Sequence, residues 1–178
     1  MHKIKGAASY NEAAPFAYGR INRHFSEFSK QTEVKKVIRL MKKEEIKELA
    51  ALWLNSSLTA HDFVPAEFWQ EKLPLVQKEY LPGSITYVYE KEGKALGFLS
   101  LVKENKIGGL FVDSTAQNKG VGYALIEQAK RLFNFLELDV YARNEKAVHF
   151  YLRQGFQAVM VFKGEDTGEE SIKMRWIQ

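Results

Sequence analysis

The sequence predicts an α+β domain in which helices cover a mixed sheet. Three observations carry that expectation. Two helix-spaced segments are followed by three strand-like runs in succession, at 84–90, 94–103 and 107–112. Helix-like and strand-like periods then alternate, with a helix over 122–135, a strand over 136–141, a helix over 145–154 and strands over 156–163 and 171–176. Finally, 178 residues with 46% hydrophobic and 27% charged side chains suit one globular domain with a core of its own.

Taken in order, the body opens at Val37-Ile38-Arg39-Leu40, a short strand. Ile46, Leu49, Leu52 and Trp53 recur at helical spacing and predict a helix over 43–55. A second helix is expected to open at Pro65, whose fixed φ suits a first turn, and to run to about Tyr80. Pro82-Gly83 is a turn signal. The runs 84–90 and 94–103, rich in Ile, Val, Tyr, Leu and Phe, are joined by Lys91-Glu92-Gly93, a hairpin-length link.

The formal net charge of +4 is confined to one end. Residues 1–36 hold seven Lys/Arg against three Asp/Glu, whereas residues 37–178 hold 19 of each. A nucleic-acid-binding body is therefore not expected. Residues 1–36, whose apolar helical stripe is limited to Ile21, Phe25 and Phe28, are expected to be a non-catalytic extension to a domain over 37–178. No apolar run approaches the roughly 18 residues of a membrane span, so no membrane partner is expected. The absence of cysteine excludes disulfides, thiolate metal sites and a cysteine nucleophile, and fits a cytoplasmic protein.

One short stretch carries chemistry. In Ala116-Gln117-Asn118-Lys119-Gly120-Val121-Gly122-Tyr123, two glycines lie one residue apart where a strand passes into a helix. A phosphate-binding P-loop needs Gly-Lys-Ser/Thr, but here Lys119 precedes Gly120 and Val121 follows it. A dinucleotide fingerprint needs a small third residue, and Leu125 stands there. What remains is either an ordinary turn or a loop whose backbone N–H groups converge on an anion at a helix N-terminus.

Gln117-Asn118-Lys119-Gly120-Val121-Gly122 resembles the Q/R-x-x-G-x-G/A signature of the GNAT superfamily of N-acetyltransferases. Leu110-Phe111-Val112-Asp113 looks like that family's fourth strand, and Asn144, Ala147, Phe150-Tyr151 and Gly155-Phe156 are similar to its second signature. The likeness covers about residues 37–178 in the family's element order. It implies the GNAT acyl-CoA N-acyltransferase fold, with a mostly antiparallel central sheet, and transfer of an acetyl group from acetyl-CoA to a primary amine by direct attack in a ternary complex. No metal is implied. Carried over, Leu110, Phe111 and Val112 would hold pantetheine. Gln117, Asn118, Lys119, Gly120, Val121, Gly122 and Tyr123 would hold the pyrophosphate, with Asn144 also on the cofactor side. As residue types alone, Asn144 equally suits a helix N-cap and Gly155 a left-handed C-cap.

In the family the tyrosine at the place of Tyr151 points its hydroxyl at the CoA sulfur, which makes Tyr151 the expected catalytic residue. A free phenol has a pKa of about 10 and a thiol about 8.5, so a hydrogen bond to the departing thiolate and outright proton transfer both stand open. For the acceptor's proton the candidate base is His61, with Asp62 and Phe63 expected to bind substrate; the competing reading makes His61 and Asp62 a cap pair at a helix start. The acceptor would be a small-molecule or peptide amine, and the chain a monomer or homodimer. A non-catalytic acyl-CoA-binding module of the same fold is the rival reading. A weaker one is an interaction protein acting through its basic leader.

Overall fold

The computed structural model describes residues 36–103 and 105–178. The stripe of Ile21, Phe25 and Phe28 lies outside the described residues. In chain order the elements are β1 (Lys36–Leu40), α1 (Ile46–Ala60), α2 (Ala66–Leu75), β2 (Ile85–Lys91), β3 (Lys94–Lys103) and β4 (Lys106–Val112), then α3 (Val121–Lys130), β5 (Phe135–Tyr141), α4 (Glu145–Arg153), β6 (Gln157–Lys163) and β7 (Glu170–Ile177). The expected α+β class holds. No described helix is long and apolar enough to cross a membrane.

The strands form one seven-stranded sheet in the order β1-β2-β3-β4-β5-β7-β6. Every neighbouring pair is antiparallel except β4 with β5. β3 lies inside the sheet and is buried on both faces, which its run Ala95 to Leu101, apolar but for Ser100, permits because the Ser100 hydroxyl is hydrogen-bonded to Thr86. Phe98 meets Val88 and Leu49 in a core under α1 and α2. Leu99 and Leu101 meet Leu125, Ile126 and Phe156 in a second core under α3 and α4. Each fully buried Leu or Phe contributes about 1.5–3 kcal/mol from the area withdrawn from water. Helices thus cover both faces, and the functional stretch enters at the sheet's middle.

Several element ends differ from expectation for identifiable reasons. α1 continues to Ala60 rather than 55, because Ser57 is buried in it despite its polar side chain. α2 carries Pro74, whose missing N–H removes one backbone hydrogen bond, and a wide π-type turn over Val76–Tyr80 follows before the last turn, Leu81–Gly83. α3 stops at Lys130 instead of 135, since Phe135 is drawn into β5 opposite Ile177. Pro65 precedes α2 as its N-cap residue rather than lying in the first turn.

Candidate active site

The sheet is interrupted where β4 meets β5. The two strands pair in parallel only at Lys106 with Glu137 and Ile107 with Leu138. Beyond that point β4 runs on to Val112 paired with β3, and β5 runs on to Tyr141 paired with β7. A gap opens between them, flanked by unpaired strand edges. Its local cause is a bulge: Ser100 faces Gly109 and Leu101 faces Ile107, leaving Gly108 extra on β4. Such an insertion bends its strand and turns it from its neighbour. Leu110, Phe111 and Val112 line the gap's β4 edge, where an extended ligand bearing amides could pair like an added strand.

β4 leads directly into the glycine loop. Asp113 opens it, its carboxylate accepting from Thr115 N–H at 2.9 Å. Gln117 turns back so that Nε2 donates to Val112 O at 3.4 Å. Asn118 has φ +59° and Gly120 φ +82°, a left-handed pair that wraps the backbone around the start of α3. No side chain caps α3, and its first turn has no acidic residue. The orphan N–H groups of its first turn and the helix dipole therefore face outward together. A Cβ added at Gly120 would meet nothing within 4 Å, so the space beside this backbone is open. Lys119 is exposed and Tyr123 is 55% exposed, both at the loop's rim, whereas Val121 is buried. Gly97 makes this seating possible, since a Cβ there would lie 2.9 Å from Val121 Cγ1.

α4 approaches from the same side. A Cβ at Gly122 would come 3.3 Å from the Phe150 ring and 3.7 Å from Leu110 Cδ2, so α3, α4 and β4 converge at that glycine. Tyr151 is buried in the core that includes Leu99, Leu125 and Phe156, with the Phe150 and Phe156 rings edge-on at 5.2 and 5.6 Å. Burial, and secondarily the nearby Tyr80 phenol, push its ionisation well above the usual tyrosine range, so Tyr151 is a hydrogen-bond donor at any working pH. Gly155 ends α4 in the left-handed conformation at φ +79°. His149, two residues before Tyr151 on α4, is exposed.

On the other face, His61 ends α1 as its C-cap residue, its N–H donating to Ser57 O. The competing reading, a His61–Asp62 cap pair at a helix start, is thus not met: α2 begins at Ala66 behind Pro65, with no side-chain cap. The His61 ring stacks on Trp69 at 5.2 Å and meets Tyr141 and Phe63 edge-on. Asn144 caps α4 through Oδ1, which accepts from Ala147 N–H at 3.1 Å. Its Nδ2 lies 3.2 Å from His61 Nε2 and donates to it, which leaves the ring proton on Nδ1. That Nδ1 is buried and has no partner. Burial lowers the imidazole pKa to about 4, so the ring is neutral at physiological pH. Asp62 is exposed and Phe63 half-buried beneath the Arg143 guanidinium at 4.5 Å. The structure therefore draws Leu110 to Val112, the 117–123 loop and Tyr151 together. Asn144 is occupied with capping α4 and with His61.

Sequence reasoning passed over Tyr80. Its hydroxyl is completely buried beside the Ser100 hydroxyl, and burial, partly offset by that neighbour, pushes its pKa up to about 12. It faces the bulge: Cβ atoms added at Gly108 and Gly109 would lie 2.8 and 3.3 Å from Oη. A tyrosine at a helix end before Pro-Gly gives no signal of this, because the two glycines that admit it belong to another element.

The sequence model of the acetyltransferase (GNAT) family matches residues 50–156. The chain belongs to that family. It is 33% identical over 79% of its length to the peptidyl-lysine N-acetyltransferase YiaC of Escherichia coli, of which the match spans 96%. It is 34% identical over 74% of its length to the peptidyl-lysine N-acetyltransferase YjaB of the same organism, 89% of which is spanned. The solution structure of apo YjaB from Escherichia coli superimposes with a TM-score of 0.72 at 30% identity, covering 80% of this chain and 97% of that one. The family's reaction fits the site: this GNAT chain is an N-acetyltransferase, and an amine is its acceptor class.

Proposed function

We propose that this acetyltransferase binds acetyl-CoA across the β4–β5 gap and the glycine loop, and passes the acetyl group directly to a lysine side chain of a peptide or protein. The observation that carries the reading is the continuity of the site: an unpaired strand edge at Leu110–Val112 runs into an uncapped helix N-terminus, with Tyr151 beside both. The strand edge would pair with pantetheine, and the amides from Gln117 to Tyr123 would receive the pyrophosphate. A helix dipole contributes roughly 0.3–2 kcal/mol, so several N–H bonds must share that work.

Acetyl-CoA supplies the activated acyl group. Tyr151 would hydrogen-bond the thiolate as the C–S bond breaks; its raised ionisation favours stabilising that charge over giving up its proton. His61 would brace the α1–α2 loop through Asn144, and the amine would shed its proton to water. Phe63, Tyr141 and Asp62 would form the rim that meets the acceptor's aliphatic arm and its cationic head. That the YiaC and YjaB relatives are peptidyl-lysine N-acetyltransferases supports lysine as acceptor. We place the enzyme in the cytoplasm, as a monomer or homodimer.

The test is thiol release from acetyl-CoA against lysine peptides, N-terminal peptides, polyamines and amino acids. Lysine peptides should react best. In Tyr151→Phe, kcat should fall by about 10²-fold with acetyl-CoA affinity preserved. Turnover equal to wild type in that variant would remove Tyr151 from the reaction, and preference for another amine would replace the acceptor.

A further inference from the structure

We propose that the cleft between α1 and the start of the glycine loop is a subsite for the pantoyl group of the cofactor, the branched, hydroxyl-bearing segment that joins its pyrophosphate to its amide arm. The inference rests on the acetyl-transfer reading above and deepens its cofactor site. Leu52, Asn55, Ser56 and Thr59 recur at helical spacing and form one stripe on α1, beside the buried stripe of Leu49, Trp53 and Ser57. With Asp113 and Gln117 across from them they line a cleft of about 100 Å³. That is the share of about three waters at roughly 30 Å³ each, and it suits a small branched group. The backbone places this cleft on the gap. Asp113 N–H donates to Leu96 O on β3 at 2.9 Å, so in the alternating ladder the Val112 carbonyl turns away from β3 toward the gap. Gln117 Nε2 reaches that carbonyl at 3.4 Å and Ser56 Oγ at 3.5 Å, both at the long limit of a hydrogen bond.

The cleft therefore lies between the strand edge Leu110–Val112 and the amides from Gln117 to Tyr123. A cofactor that gives its amides to the strand and its pyrophosphate to the loop must pass its pantoyl group between them. The chemistry of the lining agrees. The hydroxyl and the N–H of Thr115 both donate to Asp113 Oδ1 and hold the carboxyl below the usual carboxylate range, so Asp113 is ionised. A carboxylate repels phosphate, and the other lining side chains are uncharged, so the cleft selects an uncharged part of the ligand. A hydroxyl both donates and accepts. Asp113 Oδ2 would accept from it, Ser56 would donate to it, and the half-buried Leu52 would pack against the two methyl groups beside it.

The experiment is calorimetry on the full chain with three ligands: CoA, the analogue whose pantoyl hydroxyl is replaced by hydrogen, and the analogue lacking both pantoyl methyl groups. It is repeated in Asp113→Asn and Leu52→Ala, with a melting curve for each protein. Wild type should lose about tenfold in affinity without the hydroxyl, since a bond to a charged acceptor goes, and about tenfold without the methyl groups. In Asp113→Asn the loss caused by removing the hydroxyl should shrink to about threefold. In Leu52→Ala the loss caused by removing the methyl groups should shrink likewise. A wild-type protein that binds all three ligands alike overturns the proposal. So does a loss that persists unchanged in either folded variant, which would put that part of the pantoyl group elsewhere. A Leu52→Ala protein with unaltered CoA affinities and a raised KM for the acceptor assigns the cleft to the acceptor instead, and also overturns it. If Asp113→Asn fails to fold, the Leu52→Ala comparison decides. Each of these failures leaves the acetyl-transfer reading standing, whereas a wild-type protein that neither binds CoA nor releases thiol from acetyl-CoA brings down both.

Discussion

His61 shows how a residue's chemistry is set by what surrounds it. As a free imidazole it would suit a base near neutrality; in the fold it is partly buried, stacked on Trp69 and bonded to Asn144. Its pKa falls from 6.5 to about 4 on folding, so between those values the unfolded chain binds a proton that the native one does not. Stability should be full above pH 6.5, decline as the pH drops toward about 4, and level off below. His61→Gln should flatten that stretch of a denaturation-versus-pH series; an unchanged slope would show the ring is more exposed than its packing indicates. His61 and Tyr151 were legible as candidates from residue type and motif. The partner of His61 was not, because it stands 83 residues away. Tyr80 was illegible for a similar reason: its burial depends on Gly108 and Gly109, which read only as part of a strand.

At the level of elements, the loop between β4 and α3 concentrates the anion-binding capacity. Gly120→Ala puts a methyl group into the open space beside the loop and forces φ +82° on a residue that disfavours it, at roughly 1–2 kcal/mol. The variant should fold, melt slightly lower, and bind acetyl-CoA about tenfold or more weakly by calorimetry. Undiminished affinity would make the loop an ordinary turn. The sequence marked this element well, since glycine spacing at a strand–helix junction is local information. Boundaries set by distant partners were less visible. α3 ends early because β7 captures Phe135, and Ser57 lies inside α1 because the core accepts it. The widened turn after Pro74 reflects a backbone bond that proline cannot make.

For the whole molecule, the described elements of 36–178 form one complete seven-stranded sheet with a core on each face. A chain of residues 36–178 should therefore fold, bind acetyl-CoA within a few-fold of the full chain, and melt at most modestly lower. Insolubility or lost binding would make the leader integral to the domain. Fold class and element order were readable from periodicity; the insertion of β7 between β5 and β6 was not, since nothing local in a terminal strand names its neighbours. The interrupted ladder between β4 and β5 has a further consequence. The sheet is two smaller sheets, β1–β4 and β5–β7–β6, stitched by the pairs Lys106–Glu137 and Ile107–Leu138. The cofactor would then act as a missing strand, completing the seam while it is bound. In the unliganded protein the gap-facing amides of Gly109–Val112 and Asp139–Tyr141 should exchange hydrogen for deuterium quickly, although their neighbours in the same strands are slow. Saturating acetyl-CoA should slow the β4 set selectively and raise the melting temperature in proportion to the logarithm of its concentration.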